Sequence, residues 1–90
     1  MRFEWNEGKA RSNLTKHGLT FDEATTVFDD PFAVTIPDDQ ERGGELRAVT
    51  IGYSAGQRLV VVYHVERGTG IRIIGARRAS RRERDVYHAG

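Results

Sequence analysis

The 90-residue chain contains no cysteine. Disulfides and thiolate zinc sites are therefore excluded, and a fold this small must be held by packing or by a partner, which suits a reducing compartment. Nor is there an apolar run near the roughly 20 residues that span a bilayer. The opening MRFEWNEGKARSN puts acids and bases where a signal peptide needs an apolar stretch. A soluble, cytoplasmic protein without membrane contact is expected. His17, His64 and His88 have no close metal-ligand spacing and no thiol to complete a set, so no metal site is expected. The segment RGTG lacks the lysine and the strand-to-helix setting of a phosphate-cradling loop. No cofactor is expected.

Charge of one sign is scarce in two stretches of the chain rather than overall. The formal net charge is +1. Residues 22–45 nevertheless carry Asp22, Glu23, Asp29, Asp30, Asp38, Asp39, Glu41 and Glu45 against Arg42 alone, whereas 67–84 carry Arg67, Arg72, Arg77, Arg78, Arg81, Arg82 and Arg84 against Glu83 alone. A cationic cluster made wholly of arginine suits phosphate, because guanidinium donates two parallel hydrogen bonds and keeps its charge at any working pH. An anionic partner is implied.

Ninety residues suffice for one small core, so a single domain over 1–90 is expected. Phe3–Trp5 can form a short strand, after which Asn6 caps a helix through GKARSNLTKH that Gly18 stops. Thr20 and Glu23 form a capping box for a second helix with Phe21, Ala24, Val27 and Phe28 at helical spacing, ended by Asp30-Pro31. Phe32–Ile36 reads as a strand closed by Pro37, and DDQERGGE reads as a loop. Leu46–Tyr53, Arg58–Glu66 and Ile71–Arg77 are Val- and Ile-rich strands joined by short Gly-containing turns. Ser80 and Glu83 form a capping box that makes the arginine-rich tail helical. The fold class is α+β: an antiparallel sheet with the two N-terminal helices packed on one face and a short C-terminal helix.

The segments FEWNEGKARSNLTKHGLTFDEATTVFDD, RLVVVYHVERG and IRIIGARRASRRERDVY resemble the BrnT toxins over nearly the whole chain. Gly75 stands where that family commonly has serine, which argues against a hydroxyl role there. The resemblance implies a RelE-like fold and metal-independent cleavage of RNA. It also implies neutralisation by a BrnA-type antitoxin with a ribbon-helix-helix DNA-binding domain. Toxin and antitoxin would form a heterotetramer that represses its own promoter, touching operator DNA only through that complex.

RNA carries its own nucleophile, the 2′-hydroxyl, so its cleavage needs a base, an acid for the leaving 5′-oxygen and cations for the phosphorane charge. Of the groups that can move a proton here, His64 is the candidate, since its ordinary pKa lets it act in either direction. The competing reading is a packed strand residue. An arginine inside an apolar strand is costly unless an anion meets it, which nominates Arg72 and Arg77 beside His64 as catalytic and Arg78 as a substrate contact. Salt bridges to Glu66, Glu83 or Asp85 are the alternative for each. Arg47, Arg67 and Arg81 join Arg78 as RNA contacts, as do Lys9 and Lys16, which share a helix face. For His17, a place in the last turn of its helix is explanation enough. A two-residue turn at Ala55-Gly56 puts Arg47 across from His64, and a turn at Gly68-Thr69 puts His64 across from Ile73. Those registers set Arg47, His64 and Arg77 on one face of the sheet and Tyr63 and Arg72 on the other. A nucleic-acid-binding or antitoxin-binding module without catalysis is the alternative function.

Overall fold

The computed structural model describes residues 2–38 and 45–89; most of the segment read as a loop, 39–44, lies outside them. Strand β1 (Arg2–Glu4) leads into helix α1 (Glu7–His17) and helix α2 (Phe21–Thr26), which a 3-10 turn (Val27–Asp29) extends. Strands β2 (Val34–Pro37), β3 (Leu46–Tyr53), β4 (Leu59–Arg67) and β5 (Gly70–Arg78) follow, and helix α3 (Arg81–Ala89) closes the described chain.

The helices begin and end where short polar groups satisfy their free backbone ends. Asn6 Oδ1 accepts from Lys9 N at 3.0 Å, and Thr20 Oγ1 accepts from Glu23 N at 3.0 Å. Gly18 takes the left-handed conformation, φ 68°, and returns its N–H to Leu14 O at 2.9 Å. The Ser80–Glu83 box is reciprocal: Glu83 Oε1 accepts from Ser80 N at 2.8 Å and Ser80 Oγ from Glu83 N at 3.3 Å.

The sheet runs in the order β1-β5-β4-β3-β2. Strands β3, β4 and β5 pair antiparallel in succession and β2 adds antiparallel to β3, but β1 pairs with β5 in parallel, so the sheet is mixed rather than wholly antiparallel as expected. A parallel pair needs a long crossover, and every element between β1 and β5 supplies it.

Alternation along β4 serves two cores. Val60 and Val62 join Ile71, Ile73 and Ala76 against Leu19, Phe21, Ala24 and Val27 of the α1–α2 region. Val61 and Leu59 turn the other way and pack with Ile51, Tyr53 and Tyr87 of α3. Each buried Val, Leu, Ile or Phe among them contributes about 1.5–3 kcal/mol.

Two departures from the expected registers change which side chains share a face. The β3–β4 connection is not a two-residue turn: Tyr53 pairs with Leu59, and the loop between them is closed by Ser54 N donating to Arg58 O at 2.9 Å and by Gln57 at φ 61°. Arg47 consequently pairs with Val65 rather than His64, and His64 with Ala48. The β4–β5 turn does set His64 across from Ile73, but a bulge follows, with Tyr63 opposite Gly75 and Arg77 opposite Val61. One inserted residue reverses every later side chain. Arg47, Tyr63, Arg72 and Arg77 therefore share the α3 face, and His64 lies on the α1–α2 face. The expected grouping is corrected accordingly.

Candidate nucleic-acid interface

The α3 face is ordered in rows across the strands. One row runs Glu4, Arg72, Val65, Arg47; the next runs Gly75, Tyr63, Val49, Ile36; a third holds Arg77, Val61 and Ile51. Helix α3 packs over Ile51, Leu59 and Val61. The Tyr63 row beyond them remains partly open, Tyr63 being 37% exposed.

Arg77 and Tyr63 are the centre of this face. The Arg77 guanidinium forks onto Glu83, with Nη1–Oε1 2.7 Å and Nη2–Oε2 2.6 Å. It also donates to Tyr63 Oη from Nη2 at 2.9 Å and from Nε at 3.3 Å. The pair shifts both charged partners toward ionisation: hydrogen bonding to Glu83 holds the Arg77 guanidinium above its ordinary pKa, and Arg77 pulls the Glu83 carboxyl down to about 2. Because the Tyr63 oxygen accepts from Arg77, its own hydrogen is free to be donated elsewhere.

The other arginines divide. Arg67 meets Glu45 at 3.0 Å and Glu4 at 3.7 Å, and Arg72 meets Glu4 at 3.7 Å. Arg47 is half-buried, and its Nε finds no hydrogen-bond partner among the described residues. Arg78 pairs with Val60, on the opposite face, and lies close enough to Glu23 to help lower that carboxyl's pKa, after the larger effect of its hydrogen bonds from Arg58. Arg81 is exposed on α3. Arg47, Arg72 and Arg77 thus share one face of the sheet in separate rows, Arg67 and Arg72 are both tied to Glu4, and Arg78 lies on the opposite face.

Lys9 and Lys16 do share a groove, of about 550 Å³, with Ser12 and His17. Ile74, at the bulge, lines both this groove and the one beside Tyr63. His17 was expected to matter only for its helix, and the structure adds its place in this basic groove.

His64 is 2% exposed. Its Nε2 lies 2.8 Å from Thr50 Oγ1, which lies 2.8 Å from Thr35 Oγ1, and the Phe28 ring meets its edge with centroids 5.0 Å apart. Burial pushes its pKa below the ordinary value, only partly offset by Glu66. The imidazole is packed on the face opposite Arg72 and Arg77, with its buried Nδ1 lacking a hydrogen-bond partner among the described residues.

The registers expected from the sequence set Tyr63 on the face opposite Arg77, and the structure puts the two in contact. The missing signal was the bulge, because an inserted residue leaves no mark in apolar alternation when Ile73 and Ile74 are adjacent. Among the described residues no three His, Asp or Glu side chains cluster as metal ligands.

The family described as ribonuclease toxin, BrnT, of type II toxin-antitoxin system matches residues 5–83. The chain belongs to the BrnT family. Among solved structures, the 1.1 Å crystal structure of the Brucella abortus ribonuclease toxin BrnT superposes with a TM-score of 0.65 at 26% identity, covering 90% of this chain and 99% of that one. No curated protein matches the chain. BrnT membership makes this a ribonuclease toxin with a protein antitoxin as its partner, and the match spans the Tyr63 row, Arg77 and Glu83. No helix among the described residues is long and apolar enough to cross a membrane.

Proposed function

We propose that this BrnT-family chain is an endoribonuclease that cuts RNA through attack of the substrate's own 2′-hydroxyl without a metal. The single observation that carries the reading is the Tyr63–Arg77–Glu83 arrangement on the open face of the sheet, the face that also carries Arg72 and Arg47. In this reading the 2′-oxygen attacks phosphorus and gives its proton to water in the groove. The bond from phosphorus to the 5′-oxygen breaks, and Tyr63 donates its proton to that leaving oxygen. Glu83 fixes the guanidinium fork, and Arg77 with Arg72 stabilises the charge that builds on the phosphorane oxygens. Proton transfer falls to Tyr63 rather than His64, because His64 is packed on the opposite face.

The fold is read as RelE-like. The antitoxin is read as a BrnA-type ribbon-helix-helix protein that covers the basic face, forms a heterotetramer with the toxin and represses their common promoter. RNA incubated with the purified chain in excess chelator should yield 2′,3′-cyclic phosphate and 5′-hydroxyl ends. Intact RNA under those conditions would remove the catalytic reading.

The ion pairs of Arg67, Arg72 and Arg77 favour a second reading, a non-catalytic nucleic-acid-binding or antitoxin-binding module, since a paired guanidinium has less to offer a phosphorane. That module would retard the same RNA without shortening it.

A further inference from the structure

The groove beside Tyr63 contains a donor with nothing to donate to among the described residues. Ile36, Val49, Tyr63 and Gly75 form one cross-strand row. Together with Arg47 and Ile74 they line a cavity of about 510 Å³. The lining is mostly apolar, with Asp38, His64 and Arg47 as its charged or polar residues beside the Tyr63 ring. Arg47 Nε is buried there without an acceptor among the described residues. Buried polar groups nearly always have a partner, so one left without is a place where a ligand atom or a water belongs.

We infer that this groove seats one nucleobase of the RNA strand and that Arg47 selects guanine there. The inference rests on the ribonuclease reading given above, and it adds to it the base that the site prefers. An aliphatic slot of this size suits a planar ring system with two apolar faces, and the Tyr63 ring offers a stacking surface. The guanidinium donors decide which base. Guanine presents two acceptors, O6 and N7, side by side to such a fork, whereas adenine sets its amino group against it. Cytosine and uracil bury one ring where a purine buries two.

The groove is continuous with the proposed reaction centre through a single residue. Tyr63 lines the cavity with its ring and accepts from Arg77 through its hydroxyl at 2.9 Å. A base stacked on the ring therefore has its own backbone within reach of Arg77. Such a base fixes which phosphate is presented, so recognition and cleavage share one tyrosine.

Binding of four 2′-O-methyl oligonucleotides, UUGUU, UUAUU, UUCUU and UUUUU, tests the pocket apart from cleavage, because the blocked 2′-oxygen cannot attack. UUGUU should bind at least about tenfold more tightly than the other three, the margin expected of one bidentate base contact. Arg47→Ala should bring all four to the weaker level. Arg47→Lys, which keeps the charge and the aliphatic stem over Val65, should do the same, because an ammonium attracts phosphate without the fork. Equal binding of the four by the unaltered protein, as when the groove seats a peptide of the antitoxin instead, overturns the inference. A guanine margin that survives in both variants also overturns it. The unmodified oligonucleotides, incubated in chelator, separate the two readings: uncut RNA with a guanine margin in binding removes the reaction and keeps the pocket, and cutting with no such margin removes the pocket alone.

Discussion

Asn13 holds both backbone groups of Ala76: its Oδ1 accepts from Ala76 N at 3.1 Å while its Nδ2 donates to Ala76 O at 2.9 Å. The same Nδ2 donates to Leu19 O at 3.0 Å, and the side chain is 9% exposed. One amide thus does for β5 what a neighbouring strand would do, just past the point where β1 stops pairing at Arg72. It also anchors α1 to the strand that carries Arg77.

Asn13→Ala should therefore be among the more destabilising single substitutions, because it strands a buried N–H and a buried carbonyl of β5. A loss of about 2–6 kcal/mol is expected at about 1–3 kcal/mol per unsatisfied group, read from urea unfolding. A loss below about 0.5 kcal/mol, the range of an ordinary surface change, would show that water replaces the amide.

The reaction centre predicts a contrast between adjacent residues. Tyr63→Phe should lower kcat for RNA cleavage by about 10²–10⁴, the usual worth of a positioned acid, with little change in unfolding midpoint. His64→Gln should do the reverse: lose about 1–2 kcal/mol of stability through the Thr50 contact and the packing against Phe28, yet retain most of its cleavage per folded molecule. If His64→Gln is folded and inactive, the assignment of proton transfer returns to the histidine.

Glu83 gives a pH dependence whose sign can be worked out. Its carboxyl is lowered from 4.5 to about 2 in the folded chain, chiefly by hydrogen bonding to Arg77. A depressed carboxylate stabilises the fold above the unfolded value and loses that contribution as pH falls through the folded one. Stability should therefore decline between about pH 4.5 and pH 2 by about 1–2 kcal/mol on this account, a figure discounted because the pair is partly wet. Glu83→Gln should flatten that part of the profile. A decline unchanged in the variant would assign it to other carboxylates.

At the alkaline end, Tyr87 carries the opposite sign. Its hydroxyl donates to Asp30 Oδ2 at 2.7 Å, and that bond pushes the phenol up to about 12. Burial alone would raise the Asp30 carboxyl, but bonds from Tyr53 N, Phe32 N and Tyr87 more than offset it, so its net shift is downward. A raised phenol contributes stability below its unfolded value near 10 and loses it as pH approaches about 12. Amide exchange of α3 should accelerate over that interval, and Tyr87→Phe should accelerate it already at neutral pH. Unchanged exchange in the variant would mean that Tyr87 ring packing alone holds the helix.

Much of this protein is legible in its sequence. Asn6, Thr20, Ser80 and Gly18 mark helix ends because their caps are local, made within three or four residues along the chain. The strands of the meander follow from their valine and isoleucine content, and the family follows from motifs spread over the chain. The sequence could not say which side of the sheet each charge occupies. A strand's side chains alternate with a period of two, so the length of the 54–58 connection and one bulge at Ile74 were enough to move Arg47 and Arg77 away from His64 and beside Tyr63. Those choices depend on how neighbouring strands settle against two cores at once. Only the tertiary structure, where non-local packing sets the register, could make them.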